Sequence, residues 1–234
     1  WYNGVSRVDL GSGGFSRMVR APGDVGALAD KKVRAVADAG NGKLWLATKG
    51  GLKLYDTRDG SSRLFDLRSA PGMSRDEQVT TLYKAPDGVL WVGGSTGLHR
   101  FDPALGRFFT TRFAAGDPNS DTIRNIVSDR SGMLWVSTRG GVHRYDPVSK
   151  RFTTFRHDPA DPNSLSDNMV RPVLEDRKGQ LWIGSFHGLD LLDRASGQFR
   201  HYRHDPQNPH SLSHDEVHFL HEDQRGVLWV GTAN

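Results

Sequence analysis

The sequence predicts an all-β chain built from a repeated, four-stranded antiparallel motif, and three observations favour this fold class. Leu-Trp pairs recur five times in 234 residues, with steps of 46, 44, 47 and 47 residues between successive Trp residues. Glycine is abundant, at 27 residues, as expected where short strands are joined by tight turns. No segment has the 3.6-residue hydrophobic period of an amphipathic helix. The pairs are Leu44-Trp45, Leu90-Trp91, Leu134-Trp135, Leu181-Trp182 and Leu228-Trp229.

The first strand of each repeat is predicted from two aliphatic residues that stand three positions apart before a glycine-containing turn. In three repeats an Asp lies three residues before the turn glycine, at Asp129, Asp176 and Asp223. Asp caps its own backbone and Gly tolerates positive φ, so a tight hairpin turn is expected. The aliphatic pairs are Val33 and Val36, Val79 and Leu82, Ile123 and Ile126, Val170 and Val173, and Val217 and Leu220; the glycines are Gly42, Gly88, Gly132, Gly179 and Gly226.

The second strand of each repeat carries the Leu-Trp pair, and the third follows a glycine six residues after the Trp. The second strands are predicted at residues 44–48, 90–94, 134–138, 181–185 and 228–232. The glycines are Gly51, Gly97, Gly141 and Gly188, with Gly4 in the same column. An Asp always stands five residues later, at Asp9, Asp56, Asp102, Asp146 and Asp193. Because this carboxylate recurs in every repeat, we interpret it as a turn cap and not as a catalytic group.

The fourth strand carries an aromatic column, at Phe15, Phe108, Phe152 and Phe199. Four short strands repeated every 40–50 residues predict a β-propeller of four-stranded antiparallel blades, in which the repeated Trp packs between blades. The expected layout of 1–234 is a half-blade at 1–20, blades at 32–67, 78–113, 122–157 and 169–204, and a half-blade at 216–234. The two half-blades could close a five-bladed ring, but a fragment of a larger propeller is favoured.

Composition excludes several classes of protein. The net charge is +4, but the Arg residues are spread through all repeats with no basic run, so nucleic-acid binding is not expected. No apolar run approaches 18 residues, so no transmembrane helix is predicted. Cysteine is absent, which fits either redox compartment.

Two segments carry a family resemblance, VRPVLEDRKGQLWIGSFHGLDLLDRASGQFRHYRHDP from Val170 and IVSDRSGMLWVSTRGGVHRYDPVSKRFTTFRHDPADPNSLS from Ile126. They resemble two-component regulator propeller repeats, and the resemblance extends over five repeats and nearly the whole chain. The first two repeats match least, since Ala47 replaces the strand glycine and the linkers at 19–31 and 67–77 lack the His-Asp-Pro motif.

The resemblance implies a periplasmic sensor region. In such proteins an extracytoplasmic propeller precedes a β-sandwich, a membrane span and an output module, which is a histidine kinase, a hybrid regulator or a diguanylate cyclase. Several such sensors recognise oligosaccharides. The expected partners are therefore a small polar ligand or oligosaccharide, further blades and the membrane-linked output module of the parent chain; a homodimer is also compatible with the sequence.

One column of residues is the first candidate for ligand binding. It directly follows the first β-branched residue and contains Arg34, Thr80, Arg124, Arg171 and His218. At the start of the innermost strand, these side chains would lie near the mouth of a central channel. Forked guanidinium donors there favour anionic or polyhydroxyl ligands. The alternative is a scaffold role, in which each Arg binds carbonyl groups of the next blade.

A second candidate set lies between the second and third strands, where the residues vary while the flanking glycines are fixed. Aromatic and cationic side chains on such tips suit the stacking and recognition of sugars. The alternative is a set of variable, solvent-exposed turns. The set comprises Lys49, Ser95-Thr96, Arg139 and Phe186-His187, with Trp1 as a further member.

Histidine and glutamate side chains could form a metal site or a catalytic pair. Six of the ten His residues lie between His201 and His221. However, His218 and His221 would point to opposite faces of a strand, so no metal site is predicted. A lyase of the streptogramin-lyase type, which has a related Leu-Trp repeat, would need a unique His/Glu pair on one face. Four glutamates are candidates: Glu77, Glu175, Glu216 and Glu222.

Glu175 and Glu222 occupy equivalent repeat positions, which favours a scaffold role for both. The sequence therefore predicts a ligand-sensing propeller domain with no catalytic residues, cofactor or metal. Two alternatives stay open, namely a propeller lyase and a protein-interaction scaffold without a small ligand.

Overall fold

The computed structural model describes residues 6–8, 15–17, 33–69, 73, 77–113 and 117–233. Trp1, Gly4, Asp9 and the linker at 19–31 lie outside the described residues, as do the ends of the expected half-blade at 1–20. The chain divides into two compact units, Trp1–Thr110 and Thr111–Asn234. Each unit is described by itself below.

Six antiparallel sheets make up the described part of the chain, four with four strands and two with two strands. Sheet 1 contains β1 Ser6–Val8 and β2 Phe15–Arg17. Sheet 2 contains β3 Val33–Gly40, β4 Lys43–Thr48, β5 Gly51–Asp56 and β6 Ser62–Phe65, and sheet 3 contains β7 Val79–Lys84, β8 Leu90–Gly94, β9 Leu98–Asp102 and β10 Arg107–Thr111. Sheet 4 contains β11 Asn125–Ser128, β12 Leu134–Ser137, β13 Val142–Tyr145 and β14 Phe152–Phe155. Sheet 5 contains β15 Val170–Glu175, β16 Leu181–Ser185, β17 Gly188–Leu192 and β18 Phe199–Tyr202, and sheet 6 contains β19 Val217–Glu222 and β20 Leu228–Thr232.

Strands follow one another in chain order within every four-stranded sheet, so each sheet is a simple meander. The predicted fold class, an all-β propeller of four-stranded antiparallel blades, is confirmed. Helical structure in the described residues is limited to α1, Pro118–Asp121, and a 3-10 turn at Leu67–Ser69. Asp117 caps α1 by accepting a hydrogen bond from the Asn119 N–H, and Pro118 fills the first helical position.

The predicted Asp-Gly turn is observed in all three repeats that carry it. The turn glycines Gly132, Gly179 and Gly226 have φ between 78 and 81°, in the region that glycine adopts most easily. The Asp carboxylates cap the turn backbone and also accept the indole N–H of the repeated Trp. These indole bonds are 2.9 Å from Trp135 to Asp129, 3.0 Å from Trp182 to Asp176 and 3.1 Å from Trp229 to Asp223. Each turn is thereby tied to its own second strand.

The repeated Trp residues differ in how deeply they are buried. Trp45, Trp91 and Trp135 are buried, and Trp135 is only 1% exposed. Trp182 is partly buried, and Trp229, in two-stranded sheet 6, is 55% exposed. The core position expected for the repeated Trp is thus observed in sheets 2, 3 and 4.

Each unit has its own hydrophobic core. In the first unit Trp45, Phe65 and Phe101 pack together, with ring centroids 4.8–5.8 Å apart. In the second unit Trp135 packs with Leu181 and Phe199 of sheet 5. A Cβ atom at Gly184 would lie 2.6 Å from both Pro172 and Val217 side chains, so only glycine allows this close approach of sheets 5 and 6.

Neighbouring sheets of the second unit are also tied by a polar contact that repeats. The Arg130 N–H donates to the Glu175 carboxylate at 2.8 Å, and the Arg177 N–H donates to the Glu222 carboxylate at the same distance. Glu175 also pairs with Arg194 at 2.7 Å. The scaffold role expected for Glu175 and Glu222 is confirmed.

Candidate functional site

The candidate residues Arg171 and His218 stand at irregular points of their strands. Both are second residues of a first strand, and the pairing register shifts between Val170 and Val173 in β15 and between Val217 and Phe219 in β19. A β-bulge of this kind removes a residue from the ladder and re-aims its side chain. The same shift occurs at Arg34 and at Thr80 in the first unit. Four of the five residues in the column identified from the sequence are therefore bulged, and Arg124 is the exception.

Three of the predicted residues line one cavity in the second unit. This cavity, called the Arg171 cavity below, has a volume of about 320 Å³ and is lined by residues 124–125, 171–173 and 218–220. Arg124 precedes β11 by one residue, and its backbone N–H donates to the Ser137 carbonyl at 2.8 Å. Its side chain is exposed. The starts of three neighbouring first strands thus bring Arg124, Arg171 and His218 together.

Arg171 is held by contacts from three sides. Its guanidinium carbon lies 4.5 Å from the centroid of the Phe186 ring. It donates a hydrogen bond to His218 Nδ1, and it lies 3.7 Å from the Glu216 carboxylate. Such contacts fix the direction of the guanidinium and leave part of its donor fork for a ligand. Phe186, predicted as a tip residue, therefore packs against the side chain of Arg171.

Glu216 is a member of this cluster that the sequence did not single out for ligand binding. Its carboxylate lies 3.3 Å from His218 Nε2. Arg171 can only donate, so His218 Nδ1 is the acceptor of this bond, and Nε2 faces Glu216. Both ring nitrogens are thus engaged. The only signal in the sequence was the i, i+2 spacing of Glu216 and His218.

The remaining predicted residues lie elsewhere. Arg34, in the first unit, donates to Gln78 Oε1 at 2.6 Å. Arg139 is exposed, and its backbone N–H donates to the Asn119 carbonyl at 3.1 Å. It lines neither cavity described for the second unit.

His187 is separated from its neighbour Phe186. It pairs through Nδ1 with the Asp167 carboxylate and lines a second cavity of about 380 Å³. This Arg203 cavity is bounded by His157, Ser166, Asp167, His187, Arg203 and Asp215. The two residues of this turn therefore have different surroundings, since Phe186 contacts Arg171 and His187 lines the Arg203 cavity.

The His-Asp-Pro linkers are held by their own hydrogen bonds. His157 Nδ1 donates to the Leu165 carbonyl at 2.8 Å, and His204 Nδ1 donates to the Leu212 carbonyl at 2.6 Å. In both linkers the backbone N–H of the Asp that follows the His donates to a Ser hydroxyl, from Asp158 to Ser164 at 2.8 Å and from Asp205 to Ser211 at 2.9 Å. Loop architecture therefore explains the recurrence of these histidines.

A column of buried polar residues in the third strands anchors the linkers. His143 is fully buried, stacks on Phe113 with 4.2 Å between ring centroids, and lies 2.9 Å from the Thr154 hydroxyl. Burial, assisted by the charge of Arg156, lowers the pKa of His143 to about 4. The equivalent residue in sheet 5 is Asp190, which accepts the Ser166 N–H at 3.0 Å and lies 2.6 Å from His201 Nδ1.

The repeated carboxylates act as turn caps, as predicted. Asp146 accepts the Val148 N–H at 2.9 Å, and Asp193 accepts the Ala195 N–H at 2.9 Å. Hydrogen bonds from Ser149 and Ser196 hold the pKa of each carboxyl below its usual value. Burial alone would raise the pKa of Asp129, but hydrogen bonds from Ser131, Trp135 and Arg194 together lower it to about 2. These carboxylates are ionised at neutral pH, and their hydrogen bonds stabilise the turns.

Metal and membrane features are limited in the part of the chain that the structure describes. No group of three or more His, Cys, Asp or Glu residues in it is placed to hold a metal ion. None of its helices is both long and apolar enough to cross a membrane.

Comparison with known families and structures adds to this picture. The model of the two-component regulator propeller matches residues 74–96, 164–187 and 211–234. No curated protein sequence is significantly similar to the chain. The extracellular domain of a proposed one-component system from B. thetaiotaomicron has a TM-score of 0.78 and 22% identity, over 99% of this chain and 29% of that one. The extracellular domain of a proposed hybrid two-component system from the same organism has a TM-score of 0.78 and 20% identity, over 98% and 29%.

An enzyme shares the fold at greater distance. Virginiamycin B lyase from Staphylococcus aureus has a TM-score of 0.62 and 14% identity, over 85% of this chain and 62% of the lyase. The chain spans less than a third of the two extracellular domains that it resembles. At these identities the likeness shows the fold, and the predicted family resemblance rests on the three matched repeats.

Proposed function

Because the chain carries two-component regulator propeller repeats, we propose that it is part of an extracytoplasmic sensor domain that binds a small anionic or polyhydroxyl ligand in the Arg171 cavity. The similarity to extracellular domains of proposed one-component and hybrid two-component systems supports the sensor role. The single observation that carries the binding site is the convergence of Arg124, Arg171 and His218 at one cavity.

The chemistry of the cavity favours carbohydrates and organic acids. Arg171 presents a forked donor that binds carboxylates or vicinal hydroxyl groups bidentately. Phe186, under the guanidinium, adds an apolar surface of the kind on which sugar rings stack. Glu216 supplies an acceptor for hydroxyl groups, 3.7 Å from Arg171. The volume of about 320 Å³ suits a ligand at the small end of the range for binding pockets.

Signalling requires that the ligand bind two states of the domain with different affinity. The cavity offers a physical basis, because Arg171 and His218 belong to neighbouring sheets and are joined by a single hydrogen bond. A ligand that engages both side chains would strengthen the packing of β15 against β19. The output module and the membrane anchor of the parent protein are part of this proposal.

Titration of a panel of neutral and acidic mono- and disaccharides into the full chain, followed by calorimetry, tests the site. Arg171→Ala and Arg124→Ala should each weaken binding about 10-fold or more, since a charge-assisted hydrogen bond contributes about 1.5–3 kcal/mol. Arg151→Ala is the matched control, because Arg151 is an exposed residue outside the cavity. Equal affinity of Arg171→Ala and the parent chain would reject the Arg171 cavity.

A lyase is the second candidate, supported by the Glu216–His218 pair in the same cavity. A lyase needs a base that removes a proton from the substrate. Neither nitrogen of His218 is available, because one accepts from Arg171 and the other faces Glu216. We therefore expect no cleavage of a streptogramin B antibiotic by the chain, measured by mass spectrometry. Turnover that His218→Ala abolishes would favour the enzyme instead.

A further inference from the structure

One corner of sheet 4 is held by a polar contact and a close approach of the backbone. Arg156, directly after β14, binds the Asp117 carboxylate at 3.2 Å and the Ser120 hydroxyl at 2.7 Å. Gly140 packs against Ser120 so tightly that a Cβ atom there would lie 2.5 Å from the Ser120 hydroxyl oxygen. In this corner the guanidinium thus has a carboxylate partner within the chain.

The corresponding corner of sheet 5 holds different residues in the same frame. By repeat position, Arg203 replaces Arg156, His187 replaces Gly140 and Asp167 replaces Ser120. The structure verifies this correspondence, because a Cβ atom at Gly141 would lie 3.2 Å from Arg156 Cγ, and one at Gly188 would lie 3.2 Å from Arg203 Cγ. The stems of the two arginines therefore occupy equivalent places.

Sheet 5 has no equivalent of the Asp117 carboxylate that Arg156 binds in sheet 4. The position of Asp117 is taken by Ser164, whose hydroxyl is hydrogen-bonded to the backbone of Asp158. Asp167 is engaged by His187. Among the residues that the structure describes, none forms a hydrogen bond or ion pair with the Arg203 side chain. The Arg203 cavity of about 380 Å³ lies beside this guanidinium.

We propose that the Arg203 cavity binds a small monocarboxylate that also carries hydroxyl groups. The ligand carboxylate pairs with Arg203, as the Asp117 carboxylate pairs with Arg156 in sheet 4. This site goes beyond the proposed function, since it shares no lining residue with the Arg171 cavity.

The other walls of the cavity define the rest of the ligand. Asp167 and Asp215 present carboxylate oxygens, which accept hydrogen bonds from hydroxyl groups. His157 uses Nδ1 to donate to the Leu165 carbonyl, which leaves Nε2 as its second hydrogen-bonding atom. These acceptors favour hydroxyl donors. The two carboxylates also disfavour a multiply charged anion such as phosphate, because like charges at close range repel.

The binding test uses D-glucuronate, with D-glucose and inorganic phosphate as comparison probes. Each is titrated into the full chain and followed by calorimetry. Glucuronate should bind, whereas glucose, which lacks the carboxylate, should bind at least about 10-fold more weakly. Phosphate should not compete with glucuronate. Equal binding of glucose and glucuronate, full competition by phosphate or no binding of glucuronate at millimolar concentration would overturn the proposal.

Variants locate the site. Arg203→Gln should weaken glucuronate binding at least about 10-fold without changing the unfolding midpoint, because Arg203 is exposed. The pair Asp167→Ser and His187→Gly, made together, restores the residue types of sheet 4 and should also abolish binding. Arg151→Gln is the control and should leave it unchanged, because Arg151 is exposed and lines neither cavity. Loss in Arg171→Gln with full binding in Arg203→Gln would overturn this proposal and support the Arg171 cavity, so the two proposals fail separately.

Discussion

Sheets 4 and 5 share one end of their structure and differ at the other. At the turn between the first two strands, both tie an Asp to a Trp indole, through Asp129 and Trp135 at 2.9 Å and through Asp176 and Trp182 at 3.0 Å. At the opposite end, sheet 4 has a closed corner at Gly140, whereas sheet 5 has the Arg203 cavity. Under the proposal made for the Arg203 cavity, stability and recognition depend on opposite ends of the same strands.

The largest expected effect on stability concerns the repeated Trp beside the capped turn, which is buried in sheet 4 and exposed in sheet 6. Trp135→Ala should destabilise the chain by about 3–5 kcal/mol, because it creates a cavity in a packed core. Trp229→Ala should cost less than about 1.5 kcal/mol, since Trp229 is already 55% exposed. Urea unfolding of both variants measures the two costs. Similar losses would show that the indole bond to Asp, and not burial, sets the contribution of the repeated Trp.

A pH-dependent effect should distinguish His143 of sheet 4 from Asp190, its equivalent in sheet 5. The pKa of His143 is about 4 in the folded chain, against 6.5 for the unfolded reference. The unfolded chain therefore takes up the proton first, and stability is lost as the pH falls from 6.5 to 4. The full difference corresponds to about 3 kcal/mol.

His143→Gln removes this titration, so the stability difference between parent and variant should change across the window from pH 6.5 to pH 4. Unfolding in urea at several pH values measures it. A constant difference would mean that folding does not lower the pKa of His143.

The smallest expected effect on stability concerns the turn between the second and third strands, where sheet 4 has Gly140 and sheet 5 has His187. Gly140→Ala should cost about 1–3 kcal/mol, because the new Cβ atom would lie 2.9 Å from the Ser120 backbone nitrogen. His187→Ala, at the same repeat position, should change stability by less than about 0.5 kcal/mol because His187 is exposed. Thermal unfolding of the two variants compares them. If both were neutral, the sheet 4 corner would not be closed in solution.

Much of the fold could be predicted from the sequence, because the features that determine it recur. The predicted second strands at 90–94, 181–185 and 228–232 coincide with β8, β16 and β20. The prediction was less accurate where a repeat is irregular. Strand β11 begins at Asn125 and not at Ile123, since α1 and its Thr122 cap occupy the preceding linker.

The candidate site was predictable only in part. The Arg column follows from the repeat, but the bulges that re-aim Arg171 and His218 leave no separate mark in the sequence. Nor does the sequence show that Phe186 contacts Arg171 while His187 lines a separate cavity. Arg203 is one Arg among many, and its significance appears only when its surroundings are compared with those of Arg156.

The length of one strand has a consequence for how such repeats diversify. Trp182, beside the capped turn, and His187, at the other end of β16, are five positions apart. This corresponds to a span of about 16 Å in an extended chain. Substitutions more than about 10 Å apart without shared partners have nearly additive effects on stability. Substitutions at the tip of a duplicated blade therefore leave the stabilising contacts of its capped turn intact. Each copy can then acquire its own specificity.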